Sequence, residues 1–99
     1  VLIIDDMIDT AGTTVNAAEA AIENGANSVT AVATHALLSG PAVERISRSS
    51  IKKLIVTDTV AISDSKKLDN MEIVTVAQVF GEAIQRVYHG KSVSALFEF

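Results

Sequence analysis

The sequence predicts an α/β fold with a mostly parallel sheet flanked by helices. Two observations carry this. Short β-branched apolar runs alternate with segments of helical spacing, as in βαβ units. The runs are also nearly continuous in apolar residues, the pattern of strands buried on both faces.

Val1 to Ile4 is the first such run and ends at an acid. Asp6 to Thr14 is rich in Asp, Thr and Gly and reads as a loop. Val15 to Asn24 then takes helical spacing, with Val15, Ala18 and Ile22 on one stripe. Thr13 or Thr14 is suited to cap it, and Gly25 falls just past its end. Ser28 to Thr34 alternates and predicts a second strand. Ser39-Gly40-Pro41 opens a short helix with Pro41 in the first position. Val43 and Ile46 should face inward there, with Arg45 and Arg48 on the surface.

Lys53 to Thr57 predicts a third strand and Met71 to Val74 a fourth, with a polar loop over Ala61 to Asn70. Val76, Val79, Phe80, Ala83, Ile84 and Val87 keep 3-4 spacing, which predicts a helix whose stripe packs on the core. Thr75 and Gln78 fit a capping box, and Gly90 a stop. Ser92 to Phe99 reads as a last strand or a docked extension, with Phe97 and Phe99 as anchors.

The chain has 99 residues, enough for one domain. It opens directly on a strand-like run, which predicts that it begins inside a larger protein. Its 48% apolar and 20% charged residues are ordinary for a folded protein. No basic tract argues for nucleic acid, and no run of about 20 apolar residues argues for a membrane span. The absence of Cys excludes disulfides and thiolate sites and fits a cytoplasmic protein. The net charge is −4, and Asp5, Asp6 and Asp9 account for most of it.

Those acids belong to the segment that carries chemistry. In a parallel α/β sheet, ligands bind at the carboxyl ends of the strands. That edge should gather Asp5 to Thr14, His35 and Thr57 to Thr59. A helix N-terminus offers unpaired N–H groups and a partial positive charge to an anion. Gly12 admits close approach, and Thr10, Thr13 and Thr14 add hydroxyls. Carboxylates suit instead a sugar hydroxyl or a hard cation such as Mg²⁺. A phosphate with a diol at its other end, such as ribose 5-phosphate, satisfies both halves. Neither a Walker-type loop nor a Gly-x-Gly-x-x-Gly turn is present.

Asp5-Asp6-Met7-Ile8-Asp9-Thr10-Ala11-Gly12-Thr13 resembles the phosphoribosyl-diphosphate loop of type I phosphoribosyltransferase folds. It is most similar to the form in ribose-phosphate pyrophosphokinases. The resemblance continues through Thr34-His35-Ala36-Leu37-Leu38-Ser39-Gly40-Pro41-Ala42 and Val56-Thr57-Asp58-Thr59. It ends at Gly90-Lys91-Ser92-Val93-Ser94-Ala95-Leu96-Phe97, like that family's C-terminus.

The resemblance implies a transferase (a kinase of nucleotide biosynthesis) that moves diphosphate from ATP to ribose 5-phosphate, giving PRPP and AMP. It implies that residues 1–99 are a C-terminal phosphoribosyltransferase-like domain, partial and inactive alone, of a cytoplasmic hexamer. By resemblance, Asp5 and Asp6 contact ribose hydroxyls or the metal, Mg²⁺. Asp9, Thr10, Ala11, Gly12 and Thr13 take the 5-phosphate, and Ser92 and Ser94 lie near an allosteric phosphate or ADP site. Many members carry Asn-Thr-Ile-Pro where this chain has Asp58-Thr59-Val60-Ala61. The alternatives are a phosphoribosyltransferase that consumes PRPP and a non-catalytic regulatory subunit. His35 reads as a polar loop residue at a strand end. Lys52, Lys53, Lys66, Lys67, Arg45, Arg48 and Arg86 read as solvated surface charges.

Overall fold

A computed structural model describes residues 1–97. Phe99, expected as a tail anchor, lies outside the described residues. The order is β1 (Leu2–Ile8), α1 (Gly12–Glu23), β2 (Val29–Ala36), α2 (Ala42–Ser47), β3 (Ile51–Thr57), β4 (Met71–Val74) and α3 (Ala77–Tyr88). Single turns of 3₁₀ helix lie at Asp64–Lys66 and Ser94–Phe97. The sheet has the order β1-β2-β3-β4, with every neighbouring pair parallel, as predicted.

Because the strands advance in one direction and parallel crossovers are right-handed, successive crossovers fall on one face. Here α1 and α2 pack together over Ala31, Ala33, Leu54 and Val56. The contact positions are small: Ala18 on α1, Ala42 on α2 and three alanines on β2 are all buried. Small residues let the helices approach closely. Ile8, Leu38, Ile46, Leu54, Val29 and Val56 are the largest fully buried side chains. Successive residues of a strand point to opposite faces. The alternate positions Thr30, Val32 and Ile55 are accordingly half-buried, while Leu2, Ile4 and Val74 are exposed.

Four expectations need correction. The first strand does not stop at Ile4 but runs through both acids to Ile8. Its backbone pairs along β2, with Asp5 opposite Ala33 and Met7 opposite His35. On an exposed β1, a carboxylate can point to solvent without breaking the ladder. This leaves a loop of only Asp9, Thr10 and Ala11.

The helix after it begins at Gly12, so Thr13 and Thr14 lie inside α1 and do not cap it. Ala11 holds the N-cap position in the left-handed conformation, with φ 67° and no side-chain cap bond. The expected stop at Gly25 is present, at φ 97°.

The third correction concerns α3. Its apolar stripe was expected to pack on the core. It is instead exposed, with Ile84 at 68% and Val87 at 69%. The radius of gyration is 16.0 Å, against about 13 Å for a compact chain of this length. Periodicity shows that a helix has an apolar face; it does not say what covers that face. The expected Thr75–Gln78 capping box is also replaced. Val76 is the N-cap, and its N–H donates to Asp58 Oδ1 at 2.9 Å.

Candidate functional site

The carboxyl ends of β1, β2 and β3 lie side by side, which gathers the acidic loop, His35 and Thr57 to Thr59 on one edge. The β1–α1 junction forms a concavity lined by Asp5, Met7, Ile8, Asp9 and Thr10 to Thr14. Its backbone explains its chemistry. Ile8 O accepts from the Leu37 and Leu38 N–H groups, both at 3.0 Å. Asp9 O accepts from Ser39 N–H at 2.8 Å, and Ala11 O from Val15 N–H at 2.9 Å. Thr10 O accepts from Arg45 Nη1 at 3.2 Å. Four successive carbonyls are thus engaged with protein donors. The Gly12, Thr13 and Thr14 N–H groups, in the first turn of α1, have no intrahelical partner. Such a turn favours an anion.

The two adjacent acids differ in one respect. Asp5 lines the concavity and Asp6 does not, although the two side chains remain in hydrogen-bond contact. The Asp6 and Met7 N–H groups donate to Asp5 Oδ1 and Asp6 Oδ1, each at 2.8 Å. The Asp6 carboxyl is held below the usual carboxylate range. The Asp5 side chain contributes most, then the Met7 N–H, with a smaller share from the charge of His35. Among the described residues, no cluster of three or more His, Asp or Glu is arranged to hold a metal. Mg²⁺ needs no such cage; it commonly takes one or two carboxylates with waters and substrate oxygens. Asp5 fits that demand.

His35 is not a free loop residue. It lies within β2, and Nδ1 is 2.7 Å from Thr59 Oγ1. Thr57 and Thr59 hydroxyls both donate to Thr34 O, at 2.6 and 3.2 Å. These bonds tie the ends of β2 and β3 together. Asp58 turns toward α3, where it accepts from Val76 N–H. Its carboxyl lies below the usual range because the Thr75 side chain and then the Val76 N–H favour the charged form. A lowered folded value means that this contribution is complete above the ordinary carboxylate pKa of about 4 and is lost as pH falls below it. The Val76 amide should therefore lose exchange protection as pH drops through that window. Asp58→Asn should flatten the dependence; an unchanged pH profile would remove Asp58 from the cap.

Ser92 and Ser94 lie beyond α3, where their hydroxyls bond each other and Ser92 O accepts from Arg86 Nη1 at 3.2 Å. Arg45, expected to be a plain surface charge, proves to be part of the loop. The sequence carried no short-range signal for it, since the bond spans 35 positions.

The chain is similar to known proteins along nearly its whole length. Residues 1–98 match the family described as phosphoribosyl synthetase-associated domain. A ribose-phosphate pyrophosphokinase of Caldanaerobacter subterraneus subsp. tengcongensis is 50% identical over 96 residues, covering 97% of this chain and 30% of the relative. One from Corynebacterium ammoniagenes is 54% identical over the same shares. The crystal structure of phosphoribosylpyrophosphate synthetase from Mycobacterium smegmatis superposes with a TM-score of 0.88 at 34% identity. It covers 90% of this chain and 30% of that one. The chain thus spans about 30% of the length of the relatives it matches. No helix among the described residues is long and apolar enough to cross a membrane. With its family matched from the first residue to the ninety-eighth, the chain belongs to the phosphoribosyl synthetase-associated domain family.

Proposed function

We propose that this chain is the ribose 5-phosphate-binding part of a ribose-phosphate diphosphokinase. The observation that carries the reading is the β1–α1 junction. Four carbonyls are engaged by protein donors, the first N–H groups of α1 lack helical partners, and two acidic residues, Asp5 and Asp9, line the same concavity. The amides and the Thr10 and Thr13 hydroxyls receive the 5-phosphate. Asp5 accepts hydrogen bonds from the ribose hydroxyls. Asp9 and Ala11 shape the loop between them, and Asp6 supports Asp5 through the contact between their side chains.

The reaction joins the anomeric oxygen to the β-phosphorus of ATP. AMP leaves as that bond forms, and the hydroxyl proton is released. This chain fixes the acceptor, which converts an encounter into an oriented attack. Mg²⁺, held in part by Asp5, supplies charge neutralisation when bound. Cationic side chains for the transferring phosphates come from elsewhere in the polypeptide. The chain would be its carboxy-terminal portion, a phosphoribosyltransferase-like domain of a cytoplasmic hexamer. The likeness of the Gly90 to Phe97 motif to that family's C-terminus is what suggests this placement. Ser92 and Ser94 would then serve an effector site for phosphate or ADP.

The test uses the full polypeptide that carries this domain. With ATP, Mg²⁺ and ribose 5-phosphate it should produce AMP and PRPP in equal amounts, and the 99-residue chain alone should produce neither. A folded full polypeptide that forms no AMP would refute the assignment.

A further inference from the structure

The three-residue loop between β1 and α1 contains Ala11 at φ 67°, a conformation a non-glycine residue holds only when its surroundings impose it. Backbone donors secure the carbonyls of Ile8, Asp9 and Ala11. The carbonyl between them, on Thr10, is secured by a side chain, Arg45 Nη1 at 3.2 Å.

A second observation points to the same atom. A Cβ built on Gly12 would stand 3.3 Å from Arg45 Nη1. Gly12 is not among the residues with positive φ, so its backbone does not require glycine. The guanidinium is what a side chain there would press on, and it would have to give by a few tenths of an ångström. Charge gives a third argument. The segment from Asp5 to Thr14, which spans the end of β1, the loop and the first turn of α1, carries Asp5, Asp6 and Asp9 and no Lys or Arg. Of the two arginines on or beside α2, Arg48 pairs with Glu44 at 2.8 Å, while Arg45 reaches the loop. An arginine keeps its charge at any working pH.

We propose that Arg45 is a positioning residue of the anion loop. It holds the Thr10 carbonyl away from the concavity, keeps the Gly12 to Thr14 amides turned toward the ligand, and offsets the carboxylates around them. This rests on the ribose 5-phosphate reading above and names the group that maintains the site.

The test titrates the 99-residue chain with ribose 5-phosphate and follows the Gly12 to Thr14 amide shifts. Arg45→Ala should weaken binding about 10-fold, the scale of a hydrogen bond from a charged donor. Arg45→Lys should recover most of that loss. In the ligand-free chain, Arg45→Ala should lower the ¹⁵N order parameters of residues 9–12 while leaving those of β2 and β3 unchanged. Gly12→Ala should press on the guanidinium and weaken binding. Added to Arg45→Ala, it should weaken binding no further.

Unchanged order parameters in Arg45→Ala would overturn the proposal. So would wild-type affinity in Arg45→Ala, or full additivity of the two substitutions. If the wild-type chain fails to bind ribose 5-phosphate, the functional reading fails, and the ligand-free order parameters still decide the role of Arg45.

Discussion

Shortening Leu54 to alanine is expected to cost about 3 kcal/mol, within the range of roughly 2–5 kcal/mol for such changes in a packed core. Leu54 is fully buried in the middle of β3, facing Ala31 on β2 and Met71 on β4. The buried cluster it belongs to includes Ala31 and Ala33 on β2, Ala18 on α1 and Ala42 on α2, short side chains that cannot reach far into the space it would leave. Small domains hold about 5–15 kcal/mol in total, so this single change would remove a large share. Urea denaturation should show a lower midpoint with an unchanged slope. Ile84→Ala on α3 is the matched control. Ile84 is 68% exposed, so its loss should cost less than about 0.5 kcal/mol. Equal costs at the two positions would mean that the apolar face of α3 is buried after all.

The second large effect is expected at Ala11. It is 5% exposed and left-handed, so it cannot escape either constraint by turning outward. A valine there meets both. Its branched Cβ is disfavoured at positive φ, and its extra methyl groups enter a filled space. Strain of about 1–3 kcal/mol and overpacking of about 1–3 kcal/mol should add to a loss near 3 kcal/mol. The loop would shift as it relaxed, so affinity for ribose 5-phosphate should fall by about 10-fold or more. Ala11→Gly separates the two causes. Glycine accepts the conformation and adds no volume, so binding should remain near wild type. If Ala11→Gly lost binding as completely as Ala11→Val, the methyl itself would be needed, and left-handed geometry would not explain the site.

Much of the fold was legible from local pattern. The strand at Met71–Val74 matches its expected limits, the parallel order follows from the alternation of elements, and Gly25 and Gly90 end their helices at positive φ. What could not be read was set by distance or by partners. Asp5 and Asp6 look like the start of a loop because acids disfavour buried strands. On β1 their side chains reach solvent, and hydrogen bonds to β2 carry the strand through them. Thr13 and Thr14 carry a capping signal, but the turn that begins α1 is made by the Ala11 backbone. The stripe on α3 is as regular as any core-facing helix, and nothing in its own spacing reveals that it lies exposed.

The candidate site divides the same way. The anion-receiving segment was visible as a contiguous motif, because the chemistry and the backbone it needs are adjacent in the chain. The strand pairing of Asp5 was not, since it depends on β1 continuing to Ile8. Arg45 was hidden because its partner is 35 residues away. Asp58 looked like a strand terminator at the ligand edge and turned out to hold the start of α3.

The central claim is that the first turn of α1 receives the phosphate of ribose 5-phosphate. A ¹H–¹⁵N titration of the 99-residue chain tests it most directly. Saturable shifts should centre on Gly12, Thr13 and Thr14, with smaller ones at Asp5. Inorganic phosphate should reproduce the shifts at Gly12 to Thr14 and leave Asp5 unmoved. Shifts confined to Ser92 and Ser94, or no saturable shift at Gly12 to Thr14, would contradict the claim.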